Sequence, residues 1–336
     1  MTALGAIALL VATGAVADPR PGSTPEVAAT LAEARVLINQ GKPREALTKL
    51  EPLDPGEPRV SYLQGVAYYH ADDHVKAIDK LKGVVDRLTE DKVEHQEAIQ
   101  VLGLSLYLAG RLPESVPYLE QTRAWAADNP QLAYILGNAY LLTQKPELGR
   151  ASFARLFGVP AESAAAHLLA AQMMVRLELE EPAYAELQKA IEMDPRIPQA
   201  HYLLGQAAIF RGQLDLARTL LLKELELSPG HAMALYRLGD AYTREARWDE
   251  AIVALQKSIW LSPYFSGPYI LLGKAYMKKG QAATAEGMLR RAVEYDPNNK
   301  AAHYLLGQLL LQAGRTEEAQ RELAVAEKLQ AEPERR

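Results

Sequence analysis

A six-residue sequence, His-Tyr-Leu-Leu-Gly-Gln, occurs twice in the chain, at residues 201–206 and again at residues 303–308. The two copies are separated by three times 34 residues, and their glycine belongs to a series spaced by 34 or 68 residues: Gly137, Gly205, Gly239, Gly273 and Gly307. Self-similarity at a fixed period of about 20 to 50 residues is typical of stacked-repeat architectures. The sequence therefore predicts one elongated array of repeats rather than several globular domains.

Each repeat contains two stretches with helical spacing. In the repeat around Gly239, apolar or small residues recur at i, i+3, i+4 and i+7: Leu235, Leu238, Gly239 and Tyr242. A second helical stripe follows, formed by Ala251, Leu255 and Ser258, and Pro263 ends it because proline cannot continue a helix. Two helices per repeat, and no alternating pattern, predict an all-α fold.

The order of residues within the repeat resembles the tetratricopeptide repeat family. Leucine precedes the glycine, and the residues that follow are tyrosine three positions after it, alanine at twelve, an apolar residue at sixteen, a small residue at nineteen and proline at twenty-four. The repeat around Gly273 matches at the same positions, with Tyr269, Leu272, Gly273, Tyr276, Ala285, Leu289, Ala292 and Pro297. The resemblance covers residues 27–330 and implies a right-handed α-solenoid of about nine antiparallel helix pairs.

We number the repeats one to nine by the residue that stands at the glycine position: Ala34, Gly65, Gly103, Gly137, Ala171, Gly205, Gly239, Gly273 and Gly307. The first spacing is 31, which predicts a shortened connection at residues 52–58, and the second is 38, which predicts a longer second helix or loop around residues 86–94. Repeats one, four and five depart most from the pattern, and we expect them to be misplaced or mobile.

The glycines predict close approach between the two helices of each repeat. Glycine inside a helix costs about 0.5 to 1 kcal/mol relative to alanine, so a packing reason is expected for so regular a series. The small residues expected to face the glycines stand twelve positions later, at Ala217, Ala251, Ala285 and Ala319.

Composition excludes several classes of function. The net charge is −5, with acidic and basic residues mixed along the chain, so no basic field is present to attract nucleic acid. The sequence has no cysteine, which excludes disulfides and cysteine-based zinc sites. No nucleophile elbow, phosphate-binding glycine loop or HExxH motif occurs, so we expect a protein without enzymatic activity, cofactor or bound metal.

The first residues resemble a secretory signal. Residues 3–17 are small and apolar, end in Ala-Val-Ala, and are followed by Asp18-Pro19. We expect residues 1–17 to be a signal peptide, residues 18–26 a flexible leader and residues 331–336 a tail. An apolar run of about 15 residues is short for a membrane helix, so no stable membrane insertion is expected after cleavage. Export to the periplasm or beyond the cell follows from this interpretation, and retention as an anchor or a chance apolar start are the alternatives.

The family resemblance implies that the first helices line a concave groove and that the residue three before the glycine position points into it. We call this place the tyrosine position, because five repeats have tyrosine there: Tyr62, Tyr134, Tyr202, Tyr236 and Tyr304. The other repeats have Leu31, Gln100, Leu168 and Ile270. One helical turn later, at the amide position, stand Asn138, Gln206, Asp240 and Gln308. A tyrosine ring above an amide suits an extended peptide. The alternative is that these residues only bridge neighbouring repeats.

Cations also fall on the groove side of repeats seven and eight, at Arg237, Arg244, Lys274 and Lys278, with Asp240 among them. They are candidates to bind an acidic segment or a C-terminal carboxylate of a partner. Solvated helix-face charge is the alternative. The carboxylate clamp of chaperone adaptors does not carry over, because Tyr134, Leu168 and Gln172 supply no cation around Asn138.

Histidines give a second candidate site. His70 and His74 are spaced i, i+4 beside Asp72 and Asp73, a spacing that metal ligands use, although a helix–helix turn is polar in any case. His167, His201 and His303 stand at one repeat position and are predicted to be part of the framework.

The sequence thus favours a non-enzymatic scaffold that binds a partner protein or extended peptide in the groove, as an adaptor in a bacterial envelope assembly, secretion or polysaccharide-export system. A cytosolic chaperone-type or signalling adaptor is the alternative, and a metal-dependent enzyme subunit is a third, with less support.

Overall fold

The protein is described here by a computed structural model that covers residues 25–88 and 92–331. Over these residues the chain is helical, without β-strands, and it divides into two compact regions between Glu178 and Leu179. The N-terminal region (residues 25–178) contains α1 (Pro25–Asn39), α2 (Pro43–Leu50), α3 (Pro58–His70), α4 (His74–Lys82), a 3-10 turn (Val85–Arg87), α5 (Lys92–Leu108), α6 (Leu112–Arg123), α7 (Pro130–Leu142), α8 (Pro146–Phe157) and α9 (Ala164–Arg176). The C-terminal region (residues 179–331) contains α10 (Glu180–Met193), α11 (Ala200–Phe210), α12 (Leu214–Leu227), α13 (Ala232–Arg244), α14 (Trp248–Leu261), α15 (Ser266–Lys278), α16 (Ala282–Tyr295), α17 (Lys300–Gln312) and α18 (Thr316–Ala331).

The helices confirm the predicted all-α fold of adjacent helix pairs. Each repeat contributes a first and a second helix, and the two pack against each other in every repeat that lies within one region. The division between the regions falls inside repeat five, whose first helix is α9 and whose second helix is α10. The predicted signal peptide, nearly all of the leader and all but Ala331 of the tail lie outside the described residues. The handedness of the solenoid stays a prediction.

The close approach at the glycine position is confirmed, but the facing residue differs from the predicted one. A Cβ atom built on Gly239 would lie 2.5 Å from Leu255 Cγ, and one on Gly273 would lie 2.5 Å from Leu289 Cγ. The leucine sixteen positions after the glycine is therefore the nearest neighbour, rather than the alanine at twelve. Ala251 is fully buried beside this contact and packs in the same core.

The turn between the two helices of a repeat requires a left-handed residue. Seven positions after the glycine position, φ is positive in every repeat, whichever residue stands there. Glycine fills this place in repeats one, three, six, eight and nine, whereas the other four use Asp72, Gln144, Glu178 and Ala246. Residues with a Cβ atom are strained in this conformation, so these four turns are less favourable than the glycine turns.

One of the two irregular spacings has a different origin from the one that the sequence predicted. The 31-residue spacing was predicted to shorten the connection at residues 52–58, and this prediction is wrong: the helix α2 has 8 residues, against 14 in α14, and the connection after it is longer than the one after α12. Prolines at positions 52, 55 and 58 end α2 early and delay α3. The 38-residue spacing lengthens the connection between α4 and α5, which agrees with the longer loop predicted around residues 86–94. This connection includes the 3-10 turn, and residues 89–91 within it lie outside the described part.

The histidines predicted to be framework lie in the core. His201 and His303 are buried, and each donates from Nε2 to the carbonyl of a proline six residues earlier, at 2.9 Å. Tyr269 makes the same bond to Pro263. The residue four before the glycine position thus links the start of a first helix to the preceding turn by a hydrogen bond. His167 is also buried.

Candidate partner-binding face

The tyrosine positions lie on one side of the first helices, which we call the first-helix face, but their exposure differs sharply along the chain. Tyr62 is fully buried, Tyr134, Tyr202 and Tyr236 are half-buried, and Tyr304 is 47% exposed. The first-helix face is therefore not a uniform row of tyrosine contacts.

In the N-terminal region this face is closed by a network between three first helices. Arg35 of α1 binds Glu97 of α5 through two hydrogen bonds of 2.8 and 2.9 Å, and it also donates to the hydroxyl of Tyr62 in α3. The Tyr62 hydroxyl in turn donates to Glu97. The Glu97 side chain is 10% exposed and that of Arg35 is 21% exposed, so little of the network is open to a ligand. Tyr62 is consequently not available as a groove contact.

The network holds its members in defined protonation states. Burial and the neighbouring Glu97 raise the pKa of Tyr62 well above its ordinary value, and Arg35 only partly opposes them. Burial lowers the pKa of Arg35, but Tyr62 and Glu97 outweigh it and the net pKa is raised. Tyr62 therefore stays a neutral donor and Arg35 a cation at neutral pH. A second pair, Arg59 with Glu94, joins α3 to α5 nearby at 2.7 Å.

The closed part of the face extends to Asn138 in repeat four, whereas Tyr134 of the same repeat is half-buried, like Tyr202 and Tyr236. Asn138 is 4% exposed, and it lies beside the Tyr107 hydroxyl in the preceding first helix. Burial raises the pKa of Tyr107, and the hydrogen bond with Asn138 opposes this in part. Tyr134 packs its ring edge to face with Phe153 of α8, at 6.1 Å between centroids. Asn138 thus forms a hydrogen bond with Tyr107 and is too buried to contact a peptide.

In the C-terminal region the tyrosines pack on one side and remain open on the other. Tyr202 meets His231 at 4.7 Å between ring centroids, and Tyr236 meets Phe265 at 5.0 Å. His231 and Phe265 each precede the first residue of the next first helix, so each tyrosine does bridge neighbouring repeats. One side of each tyrosine ring therefore bridges two repeats, as the alternative interpretation predicted. Because Tyr202 and Tyr236 are only half-buried, the rest of each ring is accessible to a ligand.

The predicted pairing of tyrosine with an amide is seen in repeat nine. Gln308 donates from Nε2 to the Tyr304 hydroxyl at 2.7 Å, one helical turn away. Gln206 is half-buried beside Tyr202 in the same register. Asp240, at the amide position of repeat seven, instead accepts from Arg244 Nε at 3.0 Å.

The four cations of repeats seven and eight are not equivalent. Arg244 is paired with Asp240, whereas no carboxylate of the described residues lies within 4.0 Å of the side-chain nitrogens of Arg237, Lys274 or Lys278. Arg237 stacks on two rings, with Cζ 5.2 Å from the centroid of Tyr236 and 5.9 Å from that of Phe210. Its Nε is shielded from solvent and has no hydrogen-bond partner in the described part of the chain.

Phe210 belongs to this site, although the sequence did not suggest it. Its ring is 66% exposed at the end of α11, beside the guanidinium of Arg237. An exposed phenyl ring beside an unpaired cation suits a ligand with an apolar group next to a carboxylate. One feature of the sequence could have identified Phe210 as a candidate: it stands five residues after the glycine of repeat six, on the same side of the helix as Tyr202 and Gln206.

The histidine pair is arranged as part of a turn. His70 and His74 both contact the ring of Tyr69, at centroid distances of 5.3 and 5.9 Å. Burial lowers the pKa of His70, and nearby Arg35 adds to this effect while Glu97 opposes it. Among residues 25–88 and 92–331, no group of three or more His, Asp or Glu side chains is placed to hold a metal ion. Over the same residues, no helix has the length and apolar character needed to cross a membrane.

Comparison with known proteins agrees with the repeat architecture. Family models described as tetratricopeptide repeat match residues 31–91, 175–232, 202–259 and 262–335. No curated protein matches the sequence. The chain belongs to the tetratricopeptide repeat family.

Solved structures with similar folds include three tetratricopeptide-like proteins. MamA 41-end from Desulfovibrio magneticus RS-1 is 24% identical, covers 51% of this chain and 97% of its own, and has a TM-score of 0.46. YrrB, titled a TPR protein with an unusual peptide-binding site, is 20% identical, with coverages of 55% and 93% and a TM-score of 0.45. The APC/C hetero-tetramer Cut9-Hcn1 is 17% identical, with coverages of 84% and 55% and a TM-score of 0.46. The assignment to the family rests on the matching family models and on the paired helices.

Proposed function

We propose that the protein is a non-enzymatic interaction scaffold that binds an extended segment of a partner protein along the first-helix face of repeats six to nine. The observation that supports this proposal most directly is the cluster of Phe210, Tyr236 and Arg237, which combines exposed aromatic area with an unpaired cation. Tryptophan, tyrosine and arginine side chains are enriched among the residues that dominate binding energy at interfaces, and Tyr236 and Arg237 are of these types.

The unpaired cations favour an acidic segment. Arg237, Lys274 and Lys278 have no carboxylate partner among the described residues, whereas other cations of this part of the chain, such as Arg218 and Arg315, are paired. An acidic side chain or a terminal carboxylate of the partner would supply the missing charge. Gln206 and Gln308, with Tyr202 and Tyr304, are available to bond the backbone of the same segment.

Photo-crosslinking tests the binding face. A photoreactive residue at Tyr236 is expected to capture one defined partner segment, identified by mass spectrometry, in cells that produce the full chain. The matched control is the same residue at Glu317, which is exposed on α18. Equal yield of the same adduct from both positions would refute the proposed face, and an adduct peptide rich in lysine and arginine would refute the acidic segment.

We propose further that the scaffold is exported and acts in a bacterial envelope assembly, secretion or polysaccharide-export system. The support is the apolar sequence of residues 3–17 with its Ala-Val-Ala end. Cell fractionation with N-terminal sequencing tests it: processed protein that starts at Asp18 in the periplasm is expected. Full-length protein in the cytoplasm with Met1 retained would instead support a chaperone-type or signalling adaptor.

A further inference from the structure

A second surface of the C-terminal region, away from the first-helix face, is built from the second helices of repeats six and seven. A groove of about 560 Å³ lies between α12 and α14. Its base is formed by Leu235 and Leu238 of α13, which are almost fully buried, and its walls include Leu222 of α12, which is 42% exposed, and Val253 of α14, which is 53% exposed. The lining is therefore mainly aliphatic and reachable from solvent.

The apolar surface continues along α14 beyond the groove. Trp260 stands seven residues after Val253, so it projects from nearly the same face of the helix, about 10.5 Å further along the axis. Trp260 is 83% exposed and Tyr264, just past the helix, is 78% exposed, which makes them the most exposed large apolar side chains among the described residues. Tyr264 is held by an edge-to-face contact with Tyr295, at 5.6 Å between centroids.

Comparison with the other repeats shows that Trp260 is peculiar to repeat seven. The equivalent positions of repeats five, six, eight and nine hold charged residues: Glu192, Glu226, Glu294 and Lys328. The equivalents of Tyr264 in repeats five, six and eight are Arg196, Gly230 and Asn298. The repeat framework tolerates polar residues at both places, so the exposed aromatic pair is not required for the fold.

The same exchange removes a glutamate from the helix face that carries one cation, although in the other repeats this glutamate is not within 4.0 Å of the cation. Repeats five, six and eight carry a cation and, three residues later on the same helix, a glutamate: Lys189 with Glu192, Lys223 with Glu226 and Arg291 with Glu294. In repeat seven the cation is Lys257, at the rim of the groove, and Trp260 replaces the glutamate. No carboxylate in the described part of the chain lies within 4.0 Å of the Lys257 ammonium.

The two carboxylates that line the groove do not pair with Lys257, because each is bound to another cation. Asp249 is bound by Lys279, and Glu250 is bound by Arg247 at 2.7 Å. The groove thus presents an aliphatic floor, an exposed tryptophan and a single uncompensated positive charge.

We propose that this surface, formed by the α12–α14 groove with Lys257 and Trp260, binds an amphipathic helix of a partner protein that carries a carboxylate beside its apolar stripe. Asp249 and Trp260 stand eleven residues apart on α14, so the surface extends about 16 Å along this helix, which accommodates about three turns of a docked helix. Helix-in-groove recognition uses apolar residues at i, i+3 or i+4, and i+7, and the aliphatic floor and Trp260 are suited to receive them. The carboxylate pairs with Lys257.

A displayed library of 20-residue helical peptides, selected against the full chain, tests the proposal. The expected sequences have apolar residues at helical spacing and an Asp or Glu on one flank. Trp260→Glu, which introduces the residue of repeats six and eight, is expected to weaken an enriched peptide by at least about tenfold while leaving the thermal stability unchanged. Lys257→Glu is expected to weaken the same peptide, and exchange of the peptide's acid for lysine is expected to restore binding to that variant.

Controls separate this surface from the first-helix face. Arg237→Gln is expected to leave these peptides' affinity unchanged, because it alters only the other face. Enriched peptides that bind Trp260→Glu as well as the unaltered chain, peptides without the acid, or failure to enrich any peptide would overturn the proposal. A concentration-dependent dimer that Trp260→Glu abolishes would also overturn it, since the occupant would then be a second copy of this chain.

Discussion

The N-terminal and C-terminal regions use the same repeat, but more of the first-helix face is buried in hydrogen bonds and ion pairs in the N-terminal region. In residues 25–178, Arg35, Tyr62 and Glu97 bind one another across three helices. In residues 179–331, the tyrosine positions keep exposed area and Arg237 has no carboxylate partner among the described residues. The difference suggests that side chains at one set of repeat positions serve either stability or recognition, depending on whether neighbouring repeats supply complementary groups.

The largest effect is expected from breaking the N-terminal network. Glu97→Ala leaves Arg35 and the Tyr62 hydroxyl without their shared acceptor in a largely buried place, and loss of one partner of such a pair destabilises by about 3 to 5 kcal/mol. Urea unfolding followed by Trp125, in a chain with Trp248 and Trp260 replaced by phenylalanine, measures the change in the free energy of unfolding.

The matched control for that measurement is Glu33→Ala. Glu33 forms an exposed pair with Lys49 at 3.0 Å in the same N-terminal region, and such pairs contribute at most about 1 kcal/mol. Equal losses from the two substitutions would contradict the view that the N-terminal network is structural.

A second substitution tests the packing that both regions share. Ala251 is fully buried beside the contact of Gly239 with Leu255, so Ala251→Leu is expected to overpack it and destabilise the C-terminal region by about 1 to 3 kcal/mol. Ala283→Leu, at an exposed position of α16, is the control and should have little effect. Thermal or urea unfolding followed by Trp248 would show an unchanged midpoint for both if the repeat register were different.

The third prediction concerns recognition and needs the partner segment captured at Tyr236. Arg237→Gln is expected to weaken its binding by about tenfold, or about 1.4 kcal/mol, because a desolvated carboxylate loses its cation. Arg244→Gln should weaken it less, since Arg244 is already paired with Asp240. Calorimetry with the synthetic segment provides both affinities, and a larger loss for Arg244→Gln would reverse the proposed roles.

The smallest effect is expected at the turns. Ala246 has φ +57 at a position where five repeats use glycine, so Ala246→Gly is expected to stabilise the chain by about 0.5 to 1 kcal/mol. Gly280→Ala, at the same turn position of repeat eight, should destabilise it by a similar amount, since no atom lies within 4 Å of the added Cβ and strain alone acts. Melting temperatures of the two variants that shift in the same direction would contradict this explanation.

The sequence predicted the helix pairs because the 34-residue period repeats the same core positions, and it predicted the buried histidines for the same reason. It did not predict that a leucine lies nearest to the glycine, because the residue spacing does not show how far a side chain extends toward the neighbouring helix. It did not predict the early end of α2, because the three prolines at positions 52, 55 and 58 are compatible both with a short connection and with an early helix end.

The candidate site was predicted only in part. Tyr236 and Arg237 were found because they occupy regular repeat positions, but Tyr62 occupies the same position as Tyr236 and is buried. Its burial depends on Arg35 and Glu97, which come from different repeats and different positions, so no single repeat contains the pattern. Phe210 and Trp260 become visible as candidates only when their exposure is known.

Hydrogen exchange of the full chain with and without the partner segment captured at Tyr236 tests the central comparison most directly. If the C-terminal first-helix face is the binding face, amide exchange in α11, α13 and α15 slows on binding while that in α3 and α5 is unchanged. Slowed exchange in α3 and α5 without slowing in α13 would contradict the assignment of recognition to the C-terminal region.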